Sequence, residues 1–287
     1  GSCAEMATSC IGDATGDGPP SSRLTAAEIF AEGVRVGEDE LKRSSAGLWF
    51  SGLAAGIAMG LSGLGSAAIL AAVGSVRGAE LLGALLYPLG FIVVIVGRAQ
   101  LFTENTLFPV IVVLERRRHL LNTARLWGVV LCANIVGAVL FALLMITAGT
   151  LEPGIRNALE QLGSNAVGGS WMHLFWGGVA AGWIIALVAW VVSGSRFTIG
   201  QVALIWLLTF VVGAVHLPHC IAGSAEILCA VLAGPVGVGD YLYWLSAATI
   251  GNAVGGVVIV SVLNYAQVIG SGHDHVRERR DGDSDDA

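Results

Sequence analysis

The stretch "GRAQLFTENTLFP" (residues 97–109) interrupts a hydrophobic run that is otherwise long enough to cross a membrane. Arg98, Gln100, Thr103, Glu104 and Asn105 all fall where a plain transmembrane helix would present side chains to lipid. Polar and ionisable groups at that depth are costly, and they face the protein interior or a water-filled cavity. The run itself, residues 80–114, is too long for one crossing and too short for two, since a crossing takes about 20 apolar residues. A second run, 199–233, has the same fault and is broken by "HLPHCIAGSAE" (216–226). Four others, at 48–74, 125–149, 171–193 and 242–269, fit one crossing each. The economical reading is an all-α membrane protein of six transmembrane helices, the second and fifth broken.

Composition agrees. Of 287 residues, 55% are hydrophobic and 13% charged, against about a quarter charged in a soluble domain. Forty glycines suit closely packed membrane helices. No basic stripe with interleaved aromatics points to nucleic acid. The five cysteines form no CxxC pair or Cys/His ligand spacing, so no metal or other cofactor is expected. The first apolar run begins at Leu48, so no leader is expected at the start.

Outside the spans, residues 1–24 are rich in Gly, Ser, Pro and Asp and read as disordered. Thr25 and Glu28 form a capping box that opens an amphipathic surface helix over 25–44. The transport domain then covers 45–270, and 271–287 is a charged tail. With six spans both termini share a side, and that side holds twelve Lys and Arg against two on the other, Arg77 and Arg156. The excess places both termini in the cytoplasm.

The chain also repeats. "LWFSGLAAG" (48–56) matches "LFWGGVAAG" (174–182) at five of nine positions, and "NIVGAV" (134–139) matches "NAVGGV" (252–257) at four of six. These anchors bracket two sets of three spans, each with the broken one in the middle. Three spans per repeat make the halves inverted, an aquaporin-like arrangement in which broken backbone lines a cavity at the midplane.

A broken helix exposes an N-terminus whose unpaired N–H groups attract an anion. The first break adds the Thr103 hydroxyl as a donor. The second adds His219, which can pass a proton to a weak-acid anion in transit. The plainer alternative is that His219 bonds a carbonyl freed by the break; His216, on its edge, divides between the same two roles. Arg98 and Glu104 are expected to form an internal ion pair that ties the loop down. Alternatively, Glu104 faces the pore and alters selectivity.

"RAQLFTENT" resembles the G-A-(E/D)-L-F-T-(G/S)-(N/T) signature of the formate/nitrite transporter family, and "HCIAG" resembles its H-S-(I/V)-A-N. The resemblance covers about residues 25–270, and the "FTENT" form is similar to the YfdC-like branch. It implies a homopentamer in the inner membrane in which each protomer has its own pore for small monovalent weak-acid anions. It further implies that Thr103 and His219 are the pore threonine and central histidine, and Phe102 a constriction residue. Tyr87, Phe91 and Val212 stand at pore-lining positions, and Gly182 and Gly223 where the family has asparagines. The departures are Gln100 for an acid, Glu104 for a small residue, Tyr87 for phenylalanine and the two missing asparagines. They leave an alternative, a pore of the same fold with altered, non-anionic small-solute selectivity.

Two other functions fit less well. A water or polyol pore carries N-P-A at each break, and neither break has it. An intramembrane hydrolase needs a serine and a histidine from different helices, whereas Ser224 and His219 share one loop.

Overall fold

A computed structural model describes residues 24–116 and 120–270. The disordered segment and charged tail expected at the ends, and Arg117 and Arg118 of the basic cluster, lie outside the described residues. All the regular structure described is helical.

The first helix, α1 (Ala26–Lys42), starts at the expected capping box. The Thr25 hydroxyl accepts the Glu28 N–H, and the Glu28 carboxylate accepts the Thr25 N–H at 2.7 Å. The Thr25 N–H and the Thr25 hydroxyl, which also donates to the carboxylate at 2.9 Å, hold the Glu28 carboxyl below the usual carboxylate range. Its buried stripe, Gly33, Val34, Gly37 and Leu41, packs on α5 (Phe108–Arg116).

Two helix pairs form the frame: α2 (Ser45–Val73) with α6 (Leu120–Thr147), and α8 (Trp171–Ser193) with α11 (Val238–Val254). Glycine makes both possible. A Cβ at Gly56 would collide with the Asn134 carbonyl of α6, and one at Gly182 with the Asn252 carbonyl of α11. Backbone contact of this kind maximises dispersion where no hydrophobic effect drives helices together. A stretch of π-helix, Gly255–Val262, and α12 (Leu263–Gly270) continue α11.

Both long runs break where the polar residues fall. The first gives α3 (Ala79–Gly83), α4 (Pro88–Val96), a loop, one 3₁₀ turn (Glu104–Thr106) and α5. The second gives α9 (Thr198–Ala214), a loop and α10 (Ala222–Ala233). The breaks are uneven. Among the described residues, Ala79–Val96 is by itself one of five stretches long and apolar enough to cross a membrane, and α9 has 17 residues, while α5 has 9 and α10 has 12. An additional helix, α7 (Pro153–Ala166), lies between α6 and α8 and packs on α10 and α2. It went unread in the sequence because its charged face keeps it below the hydropathy of a span.

Candidate functional site: two clamped breaks meeting at His219 and Thr103

The two breaks are built alike. Both α4 and α9 end in a residue with left-handed backbone, Arg98 (φ 56°) and His216 (φ 53°), the two non-glycine residues with positive φ among those described. In each case the next N–H reaches back five residues, Ala99 to the Val94 carbonyl and Leu217 to the Val212 carbonyl, both at 3.0 Å. This is the Schellman ending of a helix. Here it turns the chain back toward the interior.

Each returning loop is then held by one asparagine. Asn134 of α6 accepts the Phe102 N–H at 2.9 Å and donates to the carbonyls of Gly52 (2.8 Å) and Gln100 (2.9 Å). Asn252 of α11 accepts the Cys220 N–H and donates to the carbonyls of Gly178 and Pro218, all at 2.8 Å. Both asparagines are fully buried. They also open the repeated NxVGxV motifs, and Gly52 and Gly178 lie in the other repeated pair. The internal repeat is thus a repeat of hydrogen bonds as well as of letters. The remaining polar groups of the first loop are satisfied locally. Ser51 Oγ accepts the Gln100 N–H, Asn105 donates to Gln100 Oε1 at 3.0 Å, and Trp127 Nε1 donates to the Asn105 carbonyl.

The clamps bring Thr103 and His219 together, 116 residues apart in sequence. His219 Nε2 lies 2.9 Å from Thr103 Oγ1, and both side chains are buried. Nδ1 accepts the Ala222 N–H at 3.1 Å, so the neutral ring carries its proton on Nε2 and donates it to Thr103. That leaves the Thr103 hydroxyl hydrogen free for a third partner. Phe91 stands edge-on to the His219 ring at 4.9 Å between centroids, and Tyr87 packs on Phe91 at 5.6 Å. Phe102 is buried against Trp127. Val212 is buried on α9, next to Gly213, which packs on the Tyr87 ring.

Several expectations need correcting. Arg98 is exposed at the end of α4, Glu104 is half-buried at the start of the 3₁₀ turn, and no ion pair within 4.0 Å joins them. The left-handed turn at Arg98 leaves the arginine on the exposed outer end of α4 while the chain returns inward to the glutamate. Gly182 does not present a side-chain position to the Thr103–His219 site; its Cβ direction is filled by the backbone of Asn252. Gly223 likewise faces the indole of Trp244. His216 is exposed, with Nε2 3.3 Å from Glu80 Oε2.

Sequence reasoning used Asn134 and Asn252 as repeat anchors only, and gave no role to Glu226 of α10. The signal was available in each: a lone polar residue inside an apolar helix.

Comparison with known proteins gives the family and the fold. The sequence profile of the family described as formate/nitrite transporter matches residues 27–266. The inner membrane protein YfdC of Escherichia coli (strain K12) is 32% identical over 235 residues, 81% of this chain and 75% of that protein. A probable formate transporter of Methanothermobacter thermautotrophicus is 26% identical over 196 residues, 62% of this chain and 72% of its own. Among solved structures, an FNT family ion channel superposes with a TM-score of 0.74 at 19% identity, covering 84% of this chain and 98% of that one. A pentameric formate channel with formate bound gives 0.66 at 19% identity, covering 78% and 98%. The solved structures share the fold, and the profile and YfdC add the lineage: the chain belongs to the formate/nitrite transporter family.

Proposed function

We propose that the chain is an inner-membrane channel or transporter for small monovalent weak-acid anions of the formate and nitrite kind. It works as a homopentamer with both termini cytoplasmic and α1 on the membrane surface. The observation that carries this reading is the Thr103–His219 hydrogen bond, which joins the two breaks at one buried point. A formate channel shares the fold, and YfdC is a relative in the inner membrane.

An anion arriving between the breaks meets the Thr103 hydroxyl hydrogen and the N-terminal N–H groups of α5 and α10, all of which favour negative charge. To pass the apolar rings of Phe91 and Phe102, it must become a neutral acid, because a bare ion there is far costlier than its conjugate acid. His219 supplies that proton through Nε2, directly or through a water. As Nε2 releases its proton, Nδ1 takes up one that enters as hydronium from the side the anion came from and gives up the Ala222 N–H. The ring stays neutral, and the net event is one anion and one bulk proton becoming one neutral acid. Thr103 holds the anion while the exchange occurs. Glu104 and Arg98 act at the loop rather than as a pair, and His216 and Asn105 are auxiliary. Val212 and Tyr87 line the passage.

The test is flux into liposomes of formate, nitrite, acetate and lactate against chloride and nitrate, at acid and neutral pH. Weak acids should move faster than the permanent anions, and faster in acid. His219→Phe should abolish weak-acid flux while the oligomer still assembles. Weak-acid flux at the wild-type rate in His219→Phe, with unchanged pH dependence, would make His219 structural and sink the mechanism.

A further inference from the structure

Seven residues past His219, on the second turn of α10, stands a carboxyl group for which the mechanism above has no use. Glu226 is 9% exposed in the middle of an apolar half-helix. It makes no hydrogen bond and no ion pair with any described residue. Yet its oxygens are not among the sealed polar atoms that lack partners, so they open on unfilled space. The stem of the side chain fills the place a Cβ would take at Gly63 of α2, since such a Cβ would lie 2.6 Å from Glu226 Cγ.

A second unpartnered polar group shares the region. Tyr87 is 8% exposed, its hydroxyl has no hydrogen-bond partner, and it lies within electrostatic reach of Glu226. The Tyr87 ring rests on Phe91, which rests on His219. A file of aromatic side chains thus leads from the proton-exchanging histidine to the Tyr87 hydroxyl. Two polar groups from different helices, both nine-tenths buried and both without a protein partner, are what a solute passage leaves and a packed core does not.

The titratable neighbours do not neutralise the carboxyl. No titratable side chain occurs on α2 or α4. On α6, Arg125 is tied to the carbonyls of Leu41 and Arg43, and Cys132 is exposed. On α7, Arg156 and Glu160 pair with each other at 2.7 Å. On α11, the Tyr241 hydroxyl donates to Ser224, Asp240 caps its own helix, and Tyr243 accepts the Trp171 N–H. Within α10 itself Cys229 is near, and His219 and Cys220 precede the helix. None of these is a fixed positive charge against Glu226.

We propose that Glu226 is a second selectivity element of the pathway. Protonated, its carboxyl gives the passing anion a hydrogen-bond donor beyond Thr103; ionised, it excludes the anion. The inference rests on the weak-acid reading above. It places the control of access in the half of the passage built by α10, Tyr87 and Gly63.

The experiment compares formate flux into liposomes at acid and neutral pH for the wild type, Glu226→Gln and Glu226→Met. The substrate's own acid–base equilibrium is common to all three, so it cancels when each variant's ratio of acid to neutral flux is divided by that of the wild type. Both variants are neutral at every pH and should hold their flux at neutral pH. Their ratios should fall about tenfold or more below the wild type's, since one unit charge in a low-dielectric passage is at stake. Subtracting each variant's acid infrared spectrum from that of the wild type should leave one protonated-carboxyl band, that of Glu226. A wild-type ratio in either assembled variant overturns the proposal, because a merely structural glutamate would change stability and leave the pH profile alone. If the wild type itself moves no weak acid, the functional reading fails first, and the two failures are told apart by that control.

Discussion

Replacing Asn134 or Asn252 with alanine should unhinge one break each. Each side chain makes three hydrogen bonds in a site with no solvent access. At the membrane average of about 0.6 kcal/mol per interhelical bond, three bonds come to about 2 kcal/mol. At the figure of about 1 kcal/mol typical of soluble proteins, they come to about 3 kcal/mol. Asn264 supplies an internal control, for it is half-buried and donates one bond, to the Val260 carbonyl. Its alanine variant should lose no more than about 1 kcal/mol. Asn134→Asp and Asn252→Asp sharpen the test. Aspartate keeps the acceptor for the loop N–H but turns an oxygen toward two carbonyls, so it should rescue little or nothing. Unfolding in mixed micelles of rising denaturant gives the stabilities, and the same preparations in liposomes give flux. Flux should fall with the clamp, because Phe102 and Thr103 hang from Asn134, and Cys220 beside His219 hangs from Asn252. Alanine variants no less stable than Asn264→Ala, or aspartate variants as stable as wild type, would refute the clamp.

Thr103→Val should cut weak-acid flux sharply, while Thr103→Ser, which keeps the hydroxyl, should retain most of it in the same assay. Gly182→Asn, which puts back a family residue, should destabilise the α8–α11 pair and lower the yield of assembled oligomer, because its side chain has only the Asn252 backbone to enter. Arg98→Gly should leave stability unchanged or raise it by up to about 1 kcal/mol, since glycine relieves a left-handed backbone and no ion pair is lost; a loss of several kcal/mol would restore the buried pair with Glu104. Native mass spectrometry in detergent should find five copies, and a monomer or tetramer would contradict the proposed assembly.

How much of this was legible beforehand differs by residue, and the differences have causes. The breaks could be read because hydropathy responds to Thr103 or His219 interrupting an apolar run, whatever the chain does next. The Thr103–His219 meeting was legible as a pairing of breaks, though its tautomer was not, since that depends on where the Ala222 N–H points. Asn134 and Asn252 stood in plain view as repeat anchors. Packing glycines around them made helix contact the nearer explanation, and only the loops returning to touch them separate a clamp from a spacer. Gly182 and Gly223 were misplaced because alignment to a family position transfers the place in the chain and not the direction of the Cβ.

Arg98 and Glu104 fail for a deeper reason. Six residues apart in one apolar run, they read as two charges at the same depth, and two charges at one depth in lipid should pair. Depth, however, is a property of the path. Helix α4 carries the chain onward to Arg98, and the left-handed turn there sends it back, so the five residues between the two charges are spent reversing direction. The arginine follows a stretch of membrane-crossing length, Ala79–Val96, where a cation also suits the C-terminal carbonyls, and the glutamate lies on the return. His216 holds the equivalent place at the end of α9, also exposed and also left-handed. Within the polar stretch 97–109, Gly97 and Arg98 are therefore exposed at the turn, and from Gln100 to Pro109 the returning chain is buried or half-buried.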